Sequence, residues 1–221
     1  MMKLIQFVVL LVVWCIASAR KEKSSSDVSS QADALIAQMT LEEKVGMLHG
    51  SGWRNVKEKK YTGFARGVER LNIPDLKLND GPQGFRSPTA PGSSTMWSSA
   101  LSIAASFDRD LVQRWGKAMA EEFSGKGANV FLGPGMNVAR VPVNGRNFEY
   151  ISGGDAYLGN QLVGPLVTGL QSVRGIIANA KHWVNNNQET DRTTNDAIVS
   201  TKIRRELYYY PFEGAIAADV G

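Results

Sequence analysis

The chain has 221 residues, 43% hydrophobic and 21% charged, which suits a globular fold with one good-sized core and excludes a wholly disordered or collagen-like polymer. The net charge is only +4 and the two signs are interleaved, so the electrostatic footprint of a nucleic-acid binder is missing. One Cys makes neither an internal disulfide nor a Cys-rich zinc site, and two His, His49 and His182, are too few for a multi-histidine metal site.

In chain order, Lys3 is followed by an apolar run from Leu4 to Ile16 and then by Ala17-Ser18-Ala19. A charged start, a short apolar run and a small-x-small ending predict a secretory signal peptide over residues 1–19, and so a secreted, extracellular product. The run is short of the ~18–20 residues that a membrane-spanning helix needs, so no membrane partner is expected after cleavage. Cys15 would leave with the peptide, and the mature charge would be 4 − 1 = +3. Residues 20–30 are polar and Ser-rich and read as a disordered leader to a domain spanning 31–221. The chain contains no Asn-x-Ser/Thr glycosylation sequon.

Residues 31–39 read as a short helix, and Thr40-Leu41-Glu42-Glu43 as a capping box opening a second one through Leu41, Val45 and Leu48. Residues 51–67 read as a loop. Leu76–Leu78 is a strand candidate running into Asn79-Asp80-Gly81-Pro82. Asp108 to Gly125 is predicted helical, with Leu111, Val112, Trp115, Met119 and Phe123 on one face. Residues 128–132 form a buried strand ending in Gly133-Pro134-Gly135. Residues 155–172 form a helix that Pro165 should kink. Residues 175–180 are a strand ending in Lys181-His182, and Ser200 to Phe212 a third long helix, before a further strand that begins near Ala215–Val220. Helices alternating with short apolar runs predict an α/β fold with parallel strands and crossover helices.

The polar residues fall where such a fold would gather them. Asp80, the stretch from Met136-Asn137 to Glu149, and Lys181-His182 each follow a strand, and strand C-terminal ends build the active site of a (β/α)8 barrel or an open doubly wound sheet. Their chemistry stays open at this level. Lys181-His182 would serve a phosphate, a Schiff base or hydroxyl groups, or would be a satisfied pair at a barrel rim. Gly133-Pro134-Gly135 lacks a phosphate-loop pattern and reads as a turn, and Ser-His-Asp catalysis lacks its G-x-S-x-G elbow. Asp80 is either a turn former or a carboxylate gripping two hydroxyls. Together Asp80, Arg146, Lys181 and His182 offer the acceptors and donors that a pyranose needs, with Trp53 or Trp183 as an apolar face.

Several motifs then coincide. They are Leu41-Glu42-Glu43-Lys44-Val45, Asn79-Asp80-Gly81-Pro82-Gln83-Gly84-Phe85-Arg86, Gly133 to Arg140, and Gly145-Arg146-Asn147-Phe148-Glu149. Lys181-His182-Trp183, Asn186-Asn187-Gln188-Glu189, Arg205-Glu206-Leu207-Tyr208 and Pro211-Phe212-Glu213 follow. In this order they resemble the N-terminal domain of glycoside hydrolase family 3 β-glucosidases, over about residues 31–220. The resemblance implies part of a (β/α)8 TIM-type barrel, the N-terminal part of a larger multidomain hydrolase. It implies retaining hydrolysis of terminal non-reducing β-D-glucosyl residues, with release of glucose, on β-glucosides or cello-oligosaccharides during polysaccharide or cellulose breakdown. It assigns Asp80 to the sugar hydroxyls, and Arg86, Arg146, Lys181 and His182 to sugar contact or pocket ordering. Glu149 is expected to order the arginines rather than act as an acid. No metal or cofactor is implied, and the sequence sets no oligomeric state.

There are departures. Trp-Val-Asn-Asn-Asn after His182 disfavours the β-N-acetylglucosaminidase branch. No Ser-Asp-Trp-like motif for the nucleophile occurs, and Asp219, at the start of an earlier strand, does not replace it. The nucleophile and the acid/base are therefore expected beyond Gly221, and this segment alone is expected to be inactive. Two other readings are a non-catalytic carbohydrate-binding or decoy protein, which would bind glucose where a partly folded barrel would not, and a β-xylosidase-type relative.

Overall fold

A computed structural model describes residues 25–50, 61–87 and 93–221. The expected signal peptide, Trp53 and residues 51–60 of the expected loop lie outside the described residues. The chain divides into two units, residues 1–45 and 46–221. The described part of the first holds helix α1 (Ser25–Gln38), and helix α2 (Leu41–Leu48) begins there. The helix expected from residue 31 thus starts at Ser25, inside the stretch read as a disordered leader. The capping box forms in both directions: the Thr40 N–H donates to Glu43 Oε2 at 2.8 Å, and the Glu43 N–H donates to Thr40 Oγ1 at 3.2 Å.

The second unit is built on a four-stranded sheet in the order β1 (Gly63–Ala65), β2 (Leu76–Asp80), β3 (Val130–Leu132) and β4 (Ile177–Ala178). β1 runs antiparallel to β2, and β2, β3 and β4 are mutually parallel. β1 lies within the segment read as a loop. Its Gly-Phe-Ala is too short for a period to show, and it is a strand because β2 offers it a ladder. A short helix α3 (Ala100–Ala104) and the long α4 (Arg109–Gly125) connect β2 to β3, and α5 (Ala156–Gln171) connects β3 to β4. This is the strand–helix repeat of a (β/α)8 barrel, here with three parallel strands.

Both long helices start on aspartates. Asp108 Oδ1 accepts from the Leu111 N–H at 2.9 Å, and Asp155 Oδ1 from the Tyr157 N–H at 2.8 Å. On α4, Val112, Trp115, Met119 and Phe123 are buried, as the spacing predicts, while Leu111 is only half-buried. They meet Leu162, Leu166 and Leu170 of α5, and the core continues into Phe131, Met136 and Ala178 of the sheet side. α5 runs through Pro165 unbroken from Ala156 to Gln171.

The predicted third long helix is instead divided. Ser200 caps one turn, α6 (Thr201–Ile203), a wider π-type turn follows over Arg204–Tyr208, and α7 (Tyr210–Ile216) resumes. Pro211 explains the break: lacking an N–H, it cannot donate to the Leu207 carbonyl, so the ladder loosens just upstream, where the Tyr209 N–H reaches back to the Arg204 carbonyl. The strand expected near Ala215–Val220 is not formed there. Ala215 and Ile216 complete α7, and the Val220 N–H closes back on the Ala215 carbonyl with Asp219 at φ 55°. Asp219 therefore sits in a helix-terminating turn and not at a strand start.

α4 and α5 cross closely at glycine. A Cβ on Gly169 would lie 2.2 Å from the Gln113 carbonyl oxygen, a backbone atom that cannot swing aside. Gly169→Ala should cost about 1–3 kcal/mol of stability by forcing the helices apart. Gly125→Ala, where a Cβ meets nothing within 4 Å, should be neutral or stabilising. Urea unfolding midpoints of the two variants check this.

Candidate functional site

Because β2, β3 and β4 are parallel, their C-terminal ends point the same way. The register Asp80↔Leu132 sets the end of β2 beside that of β3. An isolated bridge between Gly135 and Lys181 prolongs the β3–β4 pairing beyond the strands, which carries Lys181 and His182 to the same rim. A cavity of about 890 Å³ opens there. All five residues singled out from the sequence line it: Asp80, Arg86, Arg146, Lys181 and His182. Trp183 does not line it. It is 66% exposed and stacks on Tyr209 with ring centroids 4.7 Å apart.

Asn79 and Asp80 divide the work at the end of β2. Asn79 is fully buried. Its Oδ1 accepts from the Thr62 N–H at 3.1 Å and its Nδ2 donates to the Arg86 carbonyl at 2.9 Å, so it ties down the segments on either side. Asp80 faces the cavity, with Oδ2 accepting from Arg86 Nη1 at 3.0 Å and lying 3.2 Å from Thr62 Oγ1. Its Oδ1 has no partner among the described residues.

At the end of β3, a 3-10 turn over Asn147–Glu149 sets Glu149 three residues after Arg146, and the two pair bidentately. Nε lies 2.6 Å from Oε2 and Nη2 lies 2.8 Å from Oε1. Lys181 Nζ reaches the same Oε1 at 2.7 Å. Burial alone would raise the Glu149 pKa, but the hydrogen bonds and charges of Arg146 and Lys181 outweigh it, so the carboxyl stays below its ordinary value. For Arg146, burial opposes the charge, and the hydrogen bond and charge of Glu149 reverse that and push its pKa up. Glu149 pairs with one arginine, Arg146, and also with the lysine. Outside the cavity lining, Glu189 bridges Arg146 at 3.7 Å and Arg192 at 3.1 Å.

His182 is fixed at backbone and ring. Its N–H donates to Asn137 Oδ1 at 2.6 Å, and Asn137 Nδ2 donates to its carbonyl at 3.1 Å. Its Nδ1 lies 3.1 Å from the Tyr150 hydroxyl. Burial, then the positive charges of Lys181 and Arg146, push the imidazole down to about 4. Burial raises the Tyr150 phenol to about 12. Tyr150 is buried against Gly135, where a Cβ would lie 2.9 Å from its ring, so only glycine lets the two segments meet. Sequence reasoning missed Tyr150 and Thr62. Tyr150 directly follows the Gly-Arg-Asn-Phe-Glu run, which is the signal that would have found it. Among the described residues, no three His, Cys, Asp or Glu side chains converge as metal ligands.

Glu149→Ala leaves Lys181 without its anion and Arg146 with only the 3.7 Å contact to Glu189, and should destabilise the fold by about 3–5 kcal/mol, read from denaturant unfolding. The pH dependence follows from the two depressed pKa values. Between the ordinary histidine value of 6.5 and about 4, an unfolded chain takes up a proton that folded His182 refuses. Stability from this group is therefore complete above about 6.5 and falls as the pH drops to about 4. The Glu149 contribution is lost lower, below its ordinary value of 4.5. His182→Asn should flatten the upper window and leave the lower one, measured as urea midpoints against pH.

Residues 19–221 match the family model of the glycosyl hydrolase family 3 N terminal domain. The chain is 40% identical over 191 residues to thermostable beta-glucosidase B of Acetivibrio thermocellus, which covers 82% of this chain and 24% of that relative. It is 36% identical over 210 residues to probable beta-glucosidase A of Aspergillus terreus, covering 89% of this chain and 24% of that one. Beta-glucosidase 3B from Thermotoga neapolitana, solved in complex with α-D-glucose, superposes with a TM-score of 0.77 at 37% identity, covering 84% of this chain and 27% of that one. Beta-D-glucoside glucohydrolase from Trichoderma reesei gives 0.80 at 33% identity, covering 87% and 26%. The chain thus spans about a quarter of the length of the curated relatives it matches. With the motifs, the strand–helix repeat and the rim cavity all in agreement, the chain belongs to glycosyl hydrolase family 3, in its N-terminal domain.

Proposed function

We propose that the cavity holds the terminal non-reducing glucosyl unit of a β-glucoside such as a cello-oligosaccharide, and that this chain supplies the sugar-gripping part of a retaining β-glucosidase. The observation that carries this reading is the arrival of Asp80, Arg86, Arg146, Lys181 and His182 at one cavity from three different strand ends. A pyranose presents hydroxyls that both donate and accept, and this lining offers an ionised acceptor at Asp80 beside cationic donors. The relatives named above are beta-glucosidases, and one neighbour was solved with α-D-glucose.

Retaining hydrolysis needs two carboxyl groups ~5–5.5 Å apart, one as nucleophile and one as acid then base. The carboxylates among the described residues lining the cavity are Asp80 and Glu149, and each is engaged by a cation. In this reading Asp80 binds hydroxyls, Glu149 orders Arg146 and Lys181, and the reacting carboxyls come from elsewhere. The lysine-led apolar run ending in Ala17-Ser18-Ala19 supports export, and so a role outside the cell in polysaccharide breakdown, cellulose included.

Calorimetry on residues 20–221 tests the reading. The sequence alone predicts no binding by a partly folded barrel, but the cavity is lined by described residues, so glucose should bind without turnover of an aryl β-glucoside, an outcome this reading shares with the decoy. Asp80→Ala should weaken that binding about 10–100-fold, the loss of one or two hydrogen bonds to a charged group. Xylose, which lacks the hydroxymethyl group, should bind more weakly than glucose. Unchanged binding in Asp80→Ala, or hydrolysis that this substitution abolishes, would overturn the assignment.

A further inference from the structure

The Tyr150 hydroxyl has three neighbours and one proton. Its oxygen lies 3.1 Å from His182 Nδ1, 3.2 Å from the Asn186 carbonyl oxygen and 3.4 Å from Asn186 Nδ2. The Asn186 carbonyl has no proton to give, so in that contact the phenol must donate. Among the described residues no other donor serves that carbonyl. Once the proton points at Asn186, the phenol oxygen offers only lone pairs. It accepts from Asn186 Nδ2, and it can satisfy His182 only if Nδ1 carries a hydrogen. The reverse arrangement, with the phenol donating to Nδ1, would leave the part-buried Asn186 carbonyl unpaired.

We propose that Tyr150 is a positioning residue that holds His182 in the Nδ1–H tautomer, with the Nε2 lone pair turned to the cavity as an acceptor for a sugar hydroxyl. The tautomer stands on the geometry alone, and the acceptor role rests on the reading of the cavity as a sugar site. The Asn137 clamp fixes the His182 backbone, so ring rotation is the freedom left, and the Tyr150 contact removes it. Nε2 has no hydrogen-bond partner among the described residues. Among the charged side chains of the lining free acceptors are few, beside the amide and hydroxyl oxygens of Gln83, Asn179, Asn186 and Thr193. Arg86, Arg146, Arg192 and Lys181 can only donate, Glu149 is engaged by two cations, and Asp80 Oδ2 is engaged by Arg86. A rigidly held acceptor at Nε2 lets one more hydroxyl donate beside Asp80 Oδ1. The charges facing the ring, Lys181, Arg146 and Arg192 against Glu149, favour its uncharged form.

Two histidines in the whole chain make the test direct. The chain is labelled with ¹⁵N-histidine and its ring nitrogens are read by long-range ¹H–¹⁵N correlation at pH 7, with a His49→Gln variant to assign the spectrum. The expected His182 pattern is a protonated, pyrrole-type Nδ1 and an unprotonated, pyridine-type Nε2. The opposite pattern, or an imidazolium, overturns the proposal in the unmodified protein and needs no variant to fold. In Tyr150→Phe, checked for folding by cooperative unfolding, the two nitrogen shifts should move toward each other as the tautomers mix. Retention of the wild-type pattern there overturns Tyr150 as its cause. Asn186→Ala keeps the backbone carbonyl and should keep the pattern. Saturating glucose should shift Nε2 upfield and leave Nδ1 in place. If neither nitrogen moves, the acceptor role and the sugar reading fail while the tautomer stands.

Discussion

The cavity depends on one carboxylate. Glu149 is 7% exposed and binds Arg146 through two hydrogen bonds and Lys181 through a third, so a residue after β3 holds a residue after β4. Taking these groups out of water is costly, and each alone would be unfavourable there. Together they form a triad of net charge +1 whose members cannot be removed singly. The triad also acts at a distance: after burial, which is the larger cause, its two cations lower the His182 pKa against the opposite pull of Glu149. Sugar recognition of the proposed kind thus depends on a residue whose two oxygens are both already engaged by cations.

Much of this was legible in the sequence where the signal was local. The 3.6-residue spacing of Val112, Trp115, Met119 and Phe123 placed α4, and the apolar pattern of residues 155–172 placed α5, within a residue or two of their observed ends. The Thr40–Glu43 box was legible for the same reason, since both of its hydrogen bonds span three residues. The strand-end logic was enough to bring Asp80, Lys181 and His182 to one rim although about 100 residues separate them.

What was not legible depends on partners. β1 is three residues long and exists through its ladder with β2. Thr62 enters the site because Asn79 and Asp80 reach it across that hairpin, and Tyr150 because Gly135 lets its ring come close. The divided helix after Ser200 was locally readable in principle: Pro211 was visible, but the apolar period through Leu207 hid its effect on the carbonyl upstream. The turn at Asp219 was read as a strand because Ala217–Val220 is apolar enough for either structure.

The register of β2 against β3 carries one more consequence. Side chains alternate across a strand, so Asn79 turns into the protein and Asp80 to the cavity, with Asp80 level with Leu132. Sliding β2 by one position would exchange them, burying an ionised carboxylate and presenting an amide to the ligand. The mispaired chain would lose its grip on sugar and its stability in the same step. Selection on either property therefore guards the other, and a misregistered yet stable form of this sheet has little room to exist.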